Sequence, residues 1–211
     1  TRWCSDVAIV ALEQNSIPHG RIVLVIESGE ESGSPDLAHY MKKCKDLLGR
    51  LDLIVCLDSG AVNYDQCWLT TSLRGVVGGC LTVTTMKEGV HSGTGGGIVP
   101  DSFQVTRRLL DRVEDSATGD VKLPEFFCPI SDKTKKEFEC LRDMPFKEGF
   151  AVADGVSLLG PDDNAELALR NFWGASVTVV GADLPPTAVA GNLIRTQTRV
   201  KLSCRLPPLV K

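Results

Sequence analysis

Acidic side chains follow directly on two apolar runs. Residues 21–26 (RIVLVI) lead into Glu27, Glu30 and Glu31, and residues 53–57 (LIVCL) lead into Asp58. Short β-branched runs bounded by glycine read as strands buried on both faces of a parallel sheet. Ligands of such sheets bind beyond the carboxyl ends of the strands. With the two strands as neighbours, Glu31 and Asp58 converge on one cation and Glu30 stands beside them as a general base. Like charges that close repel one another unless a cation neutralises them, so the cluster makes sense chiefly around a metal ion. The spacing fits equally a solvated GEESGS loop whose acids favour the N-terminus of the following helix. Asp58 before Ser-Gly is, in the same way, ordinary turn chemistry.

The elements that would carry these groups follow from periodicity. Residues 5–14 have the spacing of an amphipathic helix that stops near Asn15 and Pro18. Ser34-Pro35-Asp36 reads as a cap, a first-turn proline and a first-turn acid, predicting a helix from about Pro35 to Leu48 that Gly49 ends. Strand, helix and strand in that order call for a right-handed parallel crossover. Beyond Trp68 the pattern changes. Residues 75–86 alternate in part, as an antiparallel strand does, and the turn-rich HSGTGGG follows. Asp101 or Ser102 caps a helix to about Val113, with Phe103, Leu109, Leu110 and Val113 toward a sheet. Residues 114–170 read as an irregular insertion, and 175–180 and 198–206 as two further strands. The chain divides near residue 72 into an α/β part, 1–71, and an α+β part, 72–211.

Composition narrows the function classes. The chain has 211 residues, 43% of them hydrophobic, enough for a buried core. A net charge of −4 supplies no broad basic field, which argues against nucleic acid as a partner. No apolar run approaches the roughly 20 residues of a membrane span, and the N-terminus lacks the order of a signal peptide, so no membrane partner is expected. The eight cysteines include no CxxC pair, and several lie in apolar runs as buried free thiols do, which points to a reducing cytoplasm.

Four motifs in order carry a resemblance. VIESGEESGS, CLDSG, WLTTSLRG and GVHSGTGGG together resemble the signature of the dinuclear zinc aminoacylase, carboxypeptidase and dipeptidase family, on its carnosinase-like branch. The likeness runs from the opening helix to Arg205. It implies a parallel-sheet zinc-peptidase catalytic domain followed by an incomplete ferredoxin-like lid, through which two copies form a homodimer. It further implies that Glu30 is the general base, that Glu31 and Asp58 each ligate one of two zinc ions, with manganese as the alternative metal, and that His91 reaches the partner's active site. Arg205 matches the arginine that binds the carboxylate of a small peptide substrate. Asn192 takes the place of a polar substrate contact, although Arg195 stands where the family has proline soon after it.

The chain also departs from the family. The HxD segment, the bridging Asp and a further His ligand have no counterpart here, which implies that the N-terminal and C-terminal parts of the family's chain are missing. Two acids do not fill two zinc spheres of about four ligands each, so these residues alone are expected to be inactive. The alternatives are an N-acyl amino acid deacylase or carboxypeptidase of the same family, and a non-catalytic lid or dimerisation module.

Overall fold

The computed structural model describes residues 2–210, which fall into two compact units, Thr1–Gly60 and Ala61–Lys211. In the first unit, helix α1 spans Arg2–Gln14 and ends where the sequence places its stop. Asn15 Nδ2 donates to the Ala11 carbonyl at 2.8 Å, Ile17 N closes on Leu12 O at 2.9 Å, and Ser16 takes a left-handed φ of 50°.

The helix expected over 35–48 is broken in two, α2 (Leu37–Lys43) and α3 (Lys45–Leu48), with Cys44 between them. Ser34 does not cap it: at φ 52° it belongs to the preceding turn, and Asp36 takes the N-cap position. Gly49 ends the pair at φ 64°. The two apolar runs depart further from expectation. Neither 21–26 nor 53–57 forms a paired strand among the described residues, and Leu53, Ile54 and Val55 are 79%, 75% and 68% exposed. A buried parallel strand needs hydrogen-bonding neighbours along its edges and helices over its faces. Among its described residues the first unit contains no paired strand to supply them, so the runs form no regular element. The first run is tethered instead by Arg21, whose guanidinium donates to the Leu47 carbonyl near the end of α3.

The second unit is built on an antiparallel sheet. Strand β1 covers Gly75–Thr84, followed by β2 (Val90–His91) and the short helix α4 (Ser92–Gly95), then α5 (Ser102–Leu110). Helices α6 (Asp132–Phe138) and α7 (Asn164–Trp173) precede β3 (Ser176–Ala182), β4 (Leu193–Ile194) and β5 (Gln197–Leu206). The main sheet has the order β1-β5-β3, all antiparallel. Thus the three strands read from sequence do share one sheet. Its central strand alternates as a half-covered sheet requires: Thr198 and Val200 are buried, whereas Gln197, Arg199, Lys201 and Arg205 are exposed.

Helix α5 covers the buried face. Asp101 caps it, accepting from Phe103 N and Gln104 N, and that start sets its phase. With 3.6 residues per turn, Ser102, Thr106 and Leu109 fall on one side. Ser102 and Thr106 are therefore buried and Phe103, expected inside, is 41% exposed with Arg107 over its ring. The polar seam is satisfied: the Ser102 and Thr198 hydroxyls are 2.9 Å apart, and Thr106 Oγ1 donates to Ser102 O at 2.8 Å.

Residues 114–170 are more ordered than their sequence suggests. Phe138, Phe146, Phe150 and Phe172 form a chain of ring contacts with centroids 5.5 to 6.1 Å apart, beside buried Leu141, Ala165, Leu167 and Ala168. Ion pairs stitch the surface: Arg142 meets Glu139 and Asp163, Lys147 meets Asp162, and Arg170 meets Asp120.

Candidate functional site

Glu30 and Glu31 open a single 3-10 turn, Glu30–Ser32. Gly33 makes the turn close: at φ 86° its amide donates back to Glu30 O at 2.8 Å, a conformation only glycine adopts without strain. Successive residues of a 3-10 helix project about 120° apart, so the two adjacent carboxylates diverge instead of sharing one target. Both are exposed, as is Asp58, which lies in an unpaired stretch. Among the described residues no three His, Cys, Asp or Glu side chains gather as a metal site. The carboxylates present therefore do not fit a complete metal centre.

In the second unit, His91 and Asn192 come together although they are far apart in sequence. Strands β2 and β4 pair antiparallel with Val90 opposite Ile194 and His91 opposite Leu193, and Ser92 N donates to Asn192 O at 2.9 Å. His91 is the N-cap of α4, its Nδ1 accepting from Gly93 N at 3.1 Å. That bond assigns the neutral tautomer: Nδ1 is the acceptor, so the proton is on Nε2, which is left to donate. The glycines of HSGTGGG permit this packing. A Cβ on Gly93 would lie 3.1 Å from His91 Nδ1, and one on Gly95 would lie 2.7 Å from Val90 Cγ1. The glycine run is thus a packing requirement, and no phosphate cradle is needed to account for it. A groove of about 570 Å³ beside the ribbon, lined by Ser92, Asp101, Gln104 and Leu193 among others, includes none of the six assigned residues.

Arg205 is elsewhere. It lies on β5 opposite Val76 and Ser176, near the end of the sheet remote from the His91–Asn192 ribbon, which adjoins Gln197 through Arg195 and Thr196. The eight steps from Gln197 to Arg205 span about 26 Å at about 3.3 Å per residue.

Two arginines are given no functional role by the motifs. Arg195 sends Nη2 to the Asp183 carbonyl at 2.7 Å, while its Nη1, like Thr85 Oγ1, is buried without a hydrogen-bond partner. Arg74, inside the WLTTSLRG motif, neighbours Arg205. The signal for Arg74 was its place two residues before Val76, but only strand register turns that into proximity.

Comparison with known proteins agrees with this architecture. No profile of a known protein family matches the chain. A cysteinylglycine-S-conjugate dipeptidase of Corynebacterium striatum is 28% identical over 200 residues, covering 95% of this chain and 43% of that protein. The solved structure of the dipeptidase Dug1p of Saccharomyces cerevisiae matches with a TM-score of 0.64 and 25% identity, over 88% of this chain and 39% of that one. The M20 family metallo-carboxypeptidase Sso-CP2 of Sulfolobus solfataricus matches with a TM-score of 0.60 at 16% identity, over 84% and 46% of the two chains. The chain thus spans about two fifths of the dipeptidase relative's length. It is homologous to dipeptidases and shares the fold of M20 metallopeptidases, in line with the resemblance carried by its four motifs.

Proposed function

We propose that this chain serves a metal-dependent exopeptidase that hydrolyses dipeptides, residues 1–71 belonging to its catalytic domain and 72–211 to a lid through which two copies dimerise. The observation that carries this reading is homology to a dipeptidase over 95% of the chain. Glu30 is the general base, taking a proton from the attacking water and passing it to the leaving amine. Its divergence from Glu31 supports separate roles, with Glu31 and Asp58 as metal ligands for zinc, or alternatively manganese. His91 offers Nε2–H to the oxyanion, Asn192 contacts the substrate, and Arg205 binds the peptide carboxylate through its planar fork. All eight cysteines are free, which supports a reducing cytoplasm, and no helix among the described residues is long and apolar enough to cross a membrane.

The sheet supports the dimer. An extended dipeptide reaches about 7 Å, far short of the roughly 26 Å of β5 between Gln197 and Arg205. One substrate does not touch both ends, so His91 with Asn192 serves the neighbouring copy's site while Arg205 serves its own.

Assaying the complete protein against dipeptides and N-acyl amino acids tests the activity. Dipeptides are the expected substrates; turnover confined to N-acyl amino acids would overturn the choice in favour of a deacylase or carboxypeptidase. A second reading, a non-catalytic lid module, is favoured by the lack of a gathered metal site among the described residues. Both readings expect the 211 residues alone to turn over little, because Glu31 and Asp58 fall short of the usual four ligands. A tight two-site zinc isotherm for this chain would exclude the second reading.

A further inference from the structure

Three arginines form ion pairs with carboxylates among the described residues: Arg50 pairs with Asp52, Arg142 with Glu139 and Asp163, and Arg170 with Asp120. Arg74 and Arg205 do not, although the chain carries 27 acids and a net charge of −4. Neither guanidinium has an ion pair among the described residues.

Arg74 is nevertheless held in place. Nη1 donates to Gly174 O at 3.2 Å and, more weakly, to Ser176 Oγ at 3.5 Å, and Nη2 donates to Asn171 Oδ1 at 3.2 Å. All three acceptors are neutral, so the full positive charge persists. Of the five N–H donors of a guanidinium, two remain unused.

Register puts Arg205 under this side chain. Val76 and Ser176 both lie opposite Arg205, and residues paired across strands project from the same face. Arg74, two residues before Val76, projects from that face too. Because β5 runs between β1 and β3, a side chain that starts beside β1 and bonds Ser176 on β3 crosses β5 at the level of Arg205. The electrostatics agree: burial, and then the positive charge of Arg205, push the Arg74 guanidinium below its ordinary pKa. Two like charges are thus held together at an open sheet end with donors to spare, an arrangement that an anion between them relieves.

We propose that Arg74 and Arg205 form one carboxylate-binding site at this end of the sheet, Arg74 acting as a second, immobilised guanidinium. The proposal rests on the reading of Arg205 as the residue that takes the peptide carboxylate, and adds a partner to it. A single arginine grips a carboxylate by one fork and swings with its own side chain. A second one fixed by three bonds sets the angle at which the carboxylate enters, and so favours substrates with a free C-terminus.

The arginine Nε–Hε NMR signals of the 211-residue chain report on this directly. Glycylglycine is expected to shift the signals of Arg74 and Arg205 together, and glycylglycinamide, which lacks the carboxylate, to leave both unmoved. Arg74→Gln should weaken the response at Arg205 by roughly 10- to 100-fold, the value of a charge-assisted bond. Arg74→Lys, with its charge kept and its fork lost, should fall between, and its amide spectrum confirms that the sheet is intact should Arg74→Gln unfold. An Arg205 response to glycylglycine that is the same in the wild type and in a folded Arg74 variant would overturn the role of Arg74 while leaving that of Arg205 standing. Failure of both arginines to respond, or equal responses to the amide, would overturn the two together.

Discussion

The backbone amide of Ser92 donates to the carbonyl of Asn192 at 2.9 Å, one rung beyond the His91–Leu193 pair of a ribbon of two residues per strand. The backbones of two residues about a hundred positions apart, His91 and Asn192, thereby sit on neighbouring rungs of one ribbon, both residues exposed.

If that ribbon completes a neighbour's site, His91→Ala in the complete protein should lower kcat about 100- to 1,000-fold, as loss of an oxyanion donor does, without disturbing metal content. Mixing inactive His91→Ala and Glu30→Gln subunits should then restore part of the activity, because each mixed dimer regains one intact composite site. No recovery, with subunit exchange verified by native mass spectrometry, would count against the in-trans role.

The divergence of Glu30 and Glu31 on their turn predicts that their substitutions separate. Glu30→Gln in the complete protein should abolish turnover with metal content nearly unchanged, and Glu31→Gln should lose metal as well as activity. Elemental analysis alongside kinetics makes the comparison; equal metal loss in both variants would contradict the assigned roles.

The buried hydroxyl pair between α5 and β5 allows a prediction independent of function. Ser102→Ala leaves Thr198 Oγ1 without its 2.9 Å partner and should cost about 1–3 kcal/mol in urea unfolding. Adding Thr198→Val removes the stranded group, so the double variant should recover part of that loss.

Acid should loosen residues 114–173 before the sheet. Asp115 is held below the ordinary aspartate range first by the Ala117 amide and then by Lys122, Asp120 by Thr118 and then Arg170, and Asp162 by Lys147. Groups with a depressed folded pKa stabilise the fold above the unfolded value and lose that contribution as pH falls through the folded one. The window therefore opens near about pH 4 and extends below it. Glu114 acts in the opposite sense: burial raises its pKa, so its contribution is present at low pH and lost as pH rises through the raised value. The near-ultraviolet circular dichroism of the aromatic cluster should fall on acidification, and less steeply in Asp120→Asn. An identical acid profile in that variant would remove Asp120 from the account.

Local rules made several features legible in the sequence. The stop of α1 at Asn15, the cap of α5 at Asp101 and the three strands of the main sheet rest on side-chain chemistry and periodicity within a few residues. The motifs likewise pointed to relatives that the comparisons bear out. Other features depend on what lies alongside. The apolar runs 21–26 and 53–57 have strand composition, yet strand identity requires a neighbour's hydrogen bonds, and they find none in their unit. Phe103 was expected inside, but the helix phase turned it outward in favour of Ser102 and Thr106. The placing of His91 and Asn192 on one ribbon, the separation of both from Arg205, and the approach of Arg74 to Arg205 follow from strand order and register. Those are long-range relations between segments, and only the tertiary structure decides them, because no local preference of either segment encodes which other segment it will meet.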